Sequence, residues 1–379
     1  MASTVTEAFQ FVCSSQFWRM AIFWTLSLII SYLQSFAQRF VAAQSKSYVY
    51  SSPPSLPQAT RSVPSASNAL RTPICIITGA TSGLGAAAAN ALSMKGFYIV
   101  LAGRSSDLLA KAISDIKRQH IGALVKAFEV DMSSFKSVLK FKNSLQQWLL
   151  ESNLHSSVQL LINNAGILAT SCRLTPEDYD EMMATNYIGA FCLTKVLMPL
   201  LENSPVPSRV INVTSFTHRN VSGMPVDNDT VTGKCFSRLN CYPYAQIYEY
   251  SKFCLLLFSY ELQRQIGIME KSHQVSVIAV DPGAVKTSIM REIPSCISSM
   301  AFLGLKLLGA LQAPENGVSS IIDAALAPPE ITGVYFFGGN GGTIRSSALS
   351  YSTKLSKDLW ATSCDIFLEL QLASTGTSA

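Results

Sequence analysis

Residues 74–85 constrain this chain more than any other stretch. Ile74-Cys75-Ile76-Ile77 is a short apolar run that reads as a buried strand. It runs straight into Thr78-Gly79-Ala80-Thr81-Ser82-Gly83-Leu84-Gly85, and an Ala-rich helical stretch, Ala86 to Lys95, follows. Strand, glycine turn and helix in that order are the context a dinucleotide-binding loop requires. Glycines let the backbone approach a pyrophosphate closely, and a helix amino terminus offers unpaired N–H groups and the positive end of its dipole. The plainer alternative is a tight turn with no ligand. The glycine spacing is Gly-x-x-x-Gly-x-Gly, not Gly-x-Gly-x-x-Gly, and that separates it from the commoner dinucleotide fingerprint.

The pattern then repeats. Apolar runs at 97–101, 124–130, 158–162, 210–213 and 275–280 read as strands. Helical stretches lie between them at 107–119, 134–150, from near Pro176, and at 244–264. Near-continuous apolar strands separated by helices imply a parallel sheet covered on both faces. The fold class is therefore α/β, a doubly wound parallel sheet (Rossmann fold), as a single domain with an N-terminal hydrophobic extension. The expected organisation is a segment at 1–41, a Pro/Ser-rich linker at 42–72, a dinucleotide-binding Rossmann domain at 73–345, and a C-terminal helix and tail at 346–379.

Charge and cysteine usage narrow the function. The net charge of +5 is carried by scattered residues, with no basic stripe interleaved with aromatics, which excludes nucleic acid as an expected partner. Nine cysteines without a Cys-x-x-Cys pair read as reduced thiols, and neither they nor the scattered histidines 120, 155, 218 and 273 suggest a metal site.

Residues 20–38 carry no charge, just enough length to span a bilayer, with Trp18, Trp24 and Tyr32 placed for its interfaces. The expected partner is a membrane, reached through this segment, and an interfacial or core-docked helix is the alternative. A cleaved secretory signal fits less well, and a transit peptide stays open. Arg39, Lys46, Arg61 and Arg71 follow the segment, so the body is expected on the cytosolic side. The sequons at Asn220 and Asn228 would matter only in a lumenal body.

Tyr248 and Lys252 lie four residues apart in a helical stretch and so share one face. A fixed cation favours the phenolate and lowers a tyrosine from about 10 towards working pH. Thr78-Gly79 through Gly85, Asn163-Asn164-Ala165-Gly166, Ser215, Tyr248-x-x-Ser251-Lys252 and Pro282-Gly283-x-Val285-x-Thr287 together resemble the short-chain dehydrogenase/reductase superfamily, over roughly residues 73–340. The long spacer between Ser215 and Tyr248, with Pro314-Glu315-Asn316-Gly317 and Gly333-Val334-Tyr335-Phe336, is similar to the branch holding retinol dehydrogenases and plant Tic32-type proteins.

The resemblance implies site residues. Tyr248 would be the general acid/base and Lys252 would lower its pKa and touch the nicotinamide ribose. Ser215 would bind the substrate carbonyl, with Thr214 as a rival, and Asn186 would hold a water linking Lys252 to solvent. Thr78, Gly79, Ser82, Gly83, Leu84 and Gly85 would line the pyrophosphate. Asp131 would meet the adenine, unless it only caps a helix, and Asn163, Ala165 and Gly166 would pack beside the adenosine half. Pro282, Gly283, Val285 and Thr287 would position the nicotinamide. After the second strand stands Arg104, with no acid before Asp107; an arginine there accommodates a 2′-phosphate, so NADP(H) is favoured over NAD(H).

The expected activity is hydride transfer between nicotinamide and a lipophilic alcohol or carbonyl. The alternative is an NADP(H)-binding scaffold or redox sensor without turnover. The resemblance makes 73–345 an NADP-binding oxidoreductase domain whose substrate lid would lie at about 288–313; the apolar stretch 297–311 falls there, and would either dip into a bilayer or pack on itself. A plastid envelope and the endoplasmic reticulum are the candidate membranes, and a homo-oligomer stays open.

Overall fold

Seven parallel strands form the centre of the molecule. The computed structural model describes residues 8–41, 72–152, 154–268, 275–339 and 341–376; the 42–71 part of the linker and His273 lie outside them. An N-terminal helical segment comes first: Ser15–Trp18, a wide turn at Arg19–Trp24, and helix α1 (Thr25–Val41). The body follows as β1 (Ile74–Thr78), α2 (Gly83–Ser93), β2 (Tyr98–Gly103), α3 (Ser106–Gln119), β3 (Val125–Glu129), α4 (Phe135–Glu151) and β4 (Leu160–Asn163). After it come α5 (Gly189–Glu202), β5 (Ser208–Val213), α6 (Tyr244–Ile268) and β6 (Val275–Asp281). Then come β7 (Ala284–Val285), α7 (Ser295–Leu307), β8 (Leu311–Gln312), α8 (Ser319–Leu326), β9 (Val334–Phe337) and α9 (Thr353–Gly376).

The sheet order is β3-β2-β1-β4-β5-β6-β9. Every pair is parallel, and Ile76 faces Val100 on one side and Leu161 on the other. Strand order reverses between β1 and β4, so a crevice opens beyond their carboxyl ends, where doubly wound folds bind ligands. Two apolar layers cover the faces. One is built on α4, α5, α6 and α9, the other on α2, α3 and α8. Apolar side chains with no solvent access, such as Ile76, Leu161 and Phe253, contribute about 1.5–3 kcal/mol each.

Several boundaries differ from the sequence reading. Helix α2 begins at Gly83 inside the glycine loop, not at Ala86, because the loop itself supplies its first turn. The helix expected from Pro176 begins at Glu181, where the Asp180 carboxylate accepts the N–H groups of Met182 and Met183 at 3.0 Å. The seventh strand, β9, was not expected. Helix α9 lies in the stretch expected to hold a C-terminal helix, and its Leu359, Ile366 and Leu370 enter the main core.

Ser15–Gln38 and Glu181–Glu202 are long and apolar enough to cross a membrane, but the second is largely buried in the core. The N-terminal segment lies against the body. Leu28 is buried with Leu256 and Tyr335, and Tyr32 packs edge-on against Phe337 at 5.2 Å. The Asn220 sequon is occupied by this docking, its Oδ1 accepting from the Ser27 hydroxyl at 2.6 Å.

Candidate active site

The crevice holds a cleft of about 1170 Å³, walled by the ends of β1, β4, β5 and β6, by α6, by α7 and by the N-terminal segment. At its floor, the glycine loop turns so tightly that a Cβ on Gly85 would stand 2.3 Å from the carbonyl oxygen of Gly79. Gly79 itself has φ of +64°, and a Cβ there would meet the Ala165 backbone at 2.9 Å. Ser82 caps α2 by position without a side-chain bond to it, leaving the first N–H groups directed at the cleft.

Thr78 and Gly85 stand behind the floor. The Thr78 hydroxyl accepts the N–H groups of Asn164 and Ala165, both at 3.0 Å, and so ties the ends of β1 and β4 together. Asn163 departs from expectation. Its side chain points into the core and donates to Asn212 at 2.8 Å and Thr194 at 3.0 Å, away from the cleft. Alternation along β4 turns its neighbour outward, so Asn164 faces the cleft and donates to the Thr78 carbonyl at 2.8 Å. Gly79, Ser82, Gly83, Leu84, Arg104, Asp131, Ala165, Gly166, Pro282, Gly283, Val285 and Thr287 all line the cleft.

Asp131 is not the cap of α4. Ser134 fills that role, while Asp131 accepts from the N–H and hydroxyl of Ser133 at 3.0 and 2.8 Å. Arg104, half exposed, lies 3.6 Å from Glu181 in a loose ion pair that is worth little in solvent.

Tyr248 and Lys252 occupy successive turns of α6. The ammonium stands 5.8 Å from the phenol ring centre and donates to the Val213 carbonyl at 2.9 Å. Ser215 begins the turn after β5 with its hydroxyl interacting with the phenol. The rival Thr214 is turned away, donating to the Lys252 carbonyl at 2.9 Å. Tyr242, a nearby phenol, donates to Asp180 at 2.6 Å and does not line the cleft.

Asn186 sits in a wide turn, Ala184–Ile188, that interrupts the helix before α5. One extra residue per turn re-aims its side chain. The amide accepts from the Ile167 N–H at 2.8 Å, and donates to the Ile167 carbonyl and the Ser251 hydroxyl, each at 3.0 Å. Ser251 in turn donates to the Tyr248 carbonyl at 2.8 Å, so Asn186 braces α6 at the turn that carries Tyr248.

Burial dominates the electrostatics around the phenol. Burial and then the Asp281 charge push Tyr248 above its ordinary value, and only Ser215 works the other way. Burial also pulls Lys252 down to about 8, against the Asp281 charge. Asp281, which sequence reasoning passed over, is fully buried beside Pro282, and burial raises it to about 6. It accepts from the Tyr335 hydroxyl at 2.6 Å and the Gly283 N–H at 2.8 Å.

Trp24 was also missed as a site residue. Its ring lies 5.4 Å from that of Tyr248, and its indole N–H donates to Glu249 at 2.7 Å.

The model for the short chain dehydrogenase family matches residues 73–225. Human polyprenol dehydrogenase is 33% identical over 301 residues, covering 77% of this chain and 84% of its own. The chain is a short-chain dehydrogenase. Retinol dehydrogenase 13 from human is 30% identical over 267 residues (69% of this chain, 75% of its own). A chloroplastic short-chain dehydrogenase of Brassica napus, TIC 32 A, is 28% identical over 296 residues (75% and 85%). The dehydrogenase fold is also that of an actinorhodin polyketide ketoreductase solved with NADPH, at 21% identity and TM-score 0.54, covering 71% of this chain and 97% of that one. The chain is thus an oxidoreductase of this family, with its parallel sheet and crevice.

Proposed function

We propose that this dehydrogenase uses NADP(H) to interconvert a lipophilic alcohol and its carbonyl, with Tyr248 exchanging the proton. The observation that carries the reading is the convergence of Tyr248, Ser215 and Lys252 on one largely apolar cleft. A nicotinamide dinucleotide fits the residues present: the uncapped start of α2, Gly79 and Gly85 with no room for a Cβ, and Asp131 and Arg104 at the far end. When bound, it supplies or takes up the hydride.

The chain's own groups do the rest. Ser215 orients the substrate oxygen, and Tyr248 gives a proton to that oxygen on reduction or takes one on oxidation. Burial keeps the phenol protonated, which favours it as the acid. Lys252 is held by the Val213 carbonyl beside the phenol, and Asn186 fixes the helix turn that carries both. Thr78, Gly85 and Asn163 support the floor from behind, while Gly79, Ser82, Gly83, Leu84, Ala165, Gly166, Pro282, Gly283, Val285 and Thr287 would contact the cofactor.

Consumption of NADPH with long-chain isoprenoid and retinoid aldehydes tests the reading. Tyr248→Phe is expected to lose about 10²–10⁴-fold in kcat while still binding NADPH. If both proteins bind NADPH and neither turns over any aldehyde, the non-catalytic scaffold is the better account. Arg104 carries the cofactor preference, so Arg104→Ala should raise KM for NADPH by about tenfold or more and leave NADH nearly unchanged. Equal losses for both would contradict that role.

Relatives named for polyprenol and retinol support the lipophilic substrate. The N-terminal segment would associate the enzyme with a membrane, with the body facing the cytosol, at a plastid envelope or the endoplasmic reticulum.

A further inference from the structure

The N-terminal helix is amphipathic the wrong way round for a soluble protein. Its polar side chains from Arg19 to Gln34 face the body. Arg19 forks onto Glu249, whose carboxylate has no solvent access, with contacts of 2.5–3.0 Å. The Ser31 hydroxyl and the Gln34 carbonyl accept from Arg219 at 2.9 and 3.0 Å. The outward face carries Phe23, Leu26, Ile29, Ile30, Leu33 and Phe36, all exposed and spaced three or four apart along one stripe. A helix on a globular body in water would present the opposite face.

We propose that this helix lies flat in the surface of a lipid bilayer as the roof of the substrate cleft, and does not cross the membrane. The inference takes from the proposed function only its membrane association. Three observations select a bilayer as the occupant. Between Glu7 and Asp107 there is no acidic residue, while Arg19, Arg39, Lys46, Arg61 and Arg71 are basic, a charge pattern complementary to anionic headgroups. The stripe adjoins the lid, where α7 and the turn after it expose Met300, Leu303, Leu307 and Leu308, and the Tyr32 hydroxyl donates to Ala310 at 3.1 Å. Finally, the inner face of the same helix is a wall of the cleft, through Met20, Trp24 and Leu28.

Crossing the membrane would undo this arrangement. The contacts to Glu249, Asn220 and Arg219 run from Arg19 to Gln34, most of the length a span would need. Drawing the helix into hydrocarbon would strip Glu249 of Arg19 and Trp24, leaving a buried carboxylate next to Tyr248. Lying flat keeps every latch and opens the cleft beside the phase in which a lipophilic substrate dissolves.

The full-length chain carries its own topology markers. Cys13 precedes the helix, Cys241 lies in the body beyond it, and both are exposed. The chain is synthesised in the presence of sealed phosphatidylcholine vesicles doped with phosphatidylserine. They are treated with a membrane-impermeant maleimide, with and without detergent, and peptide mapping reads each site. The expected result is that Cys13 and Cys241 label together, on one side. Labelling of one without detergent and of the other only with it would overturn the proposal. If both require detergent, the flat helix stands and the cytosolic orientation falls.

A second arm removes the apolar stripe without touching the cleft. Phe23→Glu with Ile30→Glu should cut co-flotation with the vesicles by about tenfold or more while NADPH binding stays unchanged. Unchanged flotation, or a fall from dimer to monomer in sedimentation without loss of flotation, would assign the stripe to another partner.

Discussion

His218 and Asp281 are both buried against Tyr335, near the Ser215 turn, and their charges pull stability in opposite directions. The ring of His218 meets that of Tyr335 at 5.2 Å, and the Tyr335 hydroxyl donates to Asp281. His218 Nε2 accepts the Ser347 N–H at 3.1 Å, which leaves Nδ1–H to donate to the Ser215 carbonyl at 2.7 Å and makes the neutral ring the bonded form. Burial lowers it from 6.5 to about 3. Between those values the unfolded chain takes a proton the folded one refuses, so stability falls as pH drops, by up to about 1.4 kcal/mol per pH unit. Asp281 is raised from 3.8 to about 6, so its contribution is full below about 3.8 and is lost as pH rises to about 6. The two slopes oppose each other from about pH 4 to 6. Relative to the parent chain, Asp281→Asn should therefore lose stability already as pH falls from 6.5. His218→Gln should lose it as pH rises from 4 to 6. Urea midpoints measured across pH 3.5–7 check both, and three parallel profiles would refute the pairing. That Tyr248, Lys252 and Ser215 share one cleft was legible in the sequence because the proton exchange proposed for them needs a fixed spacing and a strand end. His218 was not, since a lone histidine carries no signal until its two ring partners, Ser215 and Ser347, are brought to it.

At the scale of elements, the parallel strands were readable because burial on both faces leaves unbroken apolar runs. β9 escaped because its four residues, Val334–Phe337, follow a loop and lack a helical pattern after them. The glycine turn is the element whose geometry admits least change. Gly85→Ala would push a Cβ to 2.3 Å from the Gly79 carbonyl oxygen and 2.6 Å from the Asn164 amide nitrogen, and the backbone carbonyl cannot swing aside as the end of a flexible side chain would. The expected cost is about 3 kcal/mol or more, with loss of NADPH binding, read by thermal melts and cofactor titration. A variant that melts and binds like the parent would show that the loop opens freely. The interrupted helix at Ala184–Ile188 could not be foreseen, since Thr185-Asn186-Tyr187 contains neither Pro nor Gly and the wide turn answers to Ile167 and Ser251 across the core.

At the scale of the whole molecule, the sequence shows an apolar segment near its start but not where that segment comes to rest. The docking is written in pairs such as Arg19 with Glu249, 230 positions apart, and neither residue marks the other. That docking bears on how the enzyme can be handled free of detergent. Deleting the helix to gain solubility would take Trp24 from the face of Tyr248, leave Glu249 without its cation and open the cleft to water. What remained would be a different catalyst with a familiar fold. If the stripe rests in a bilayer as proposed, recolouring it with charged side chains, and leaving the inner face alone, is the route to a soluble form that keeps its cleft intact.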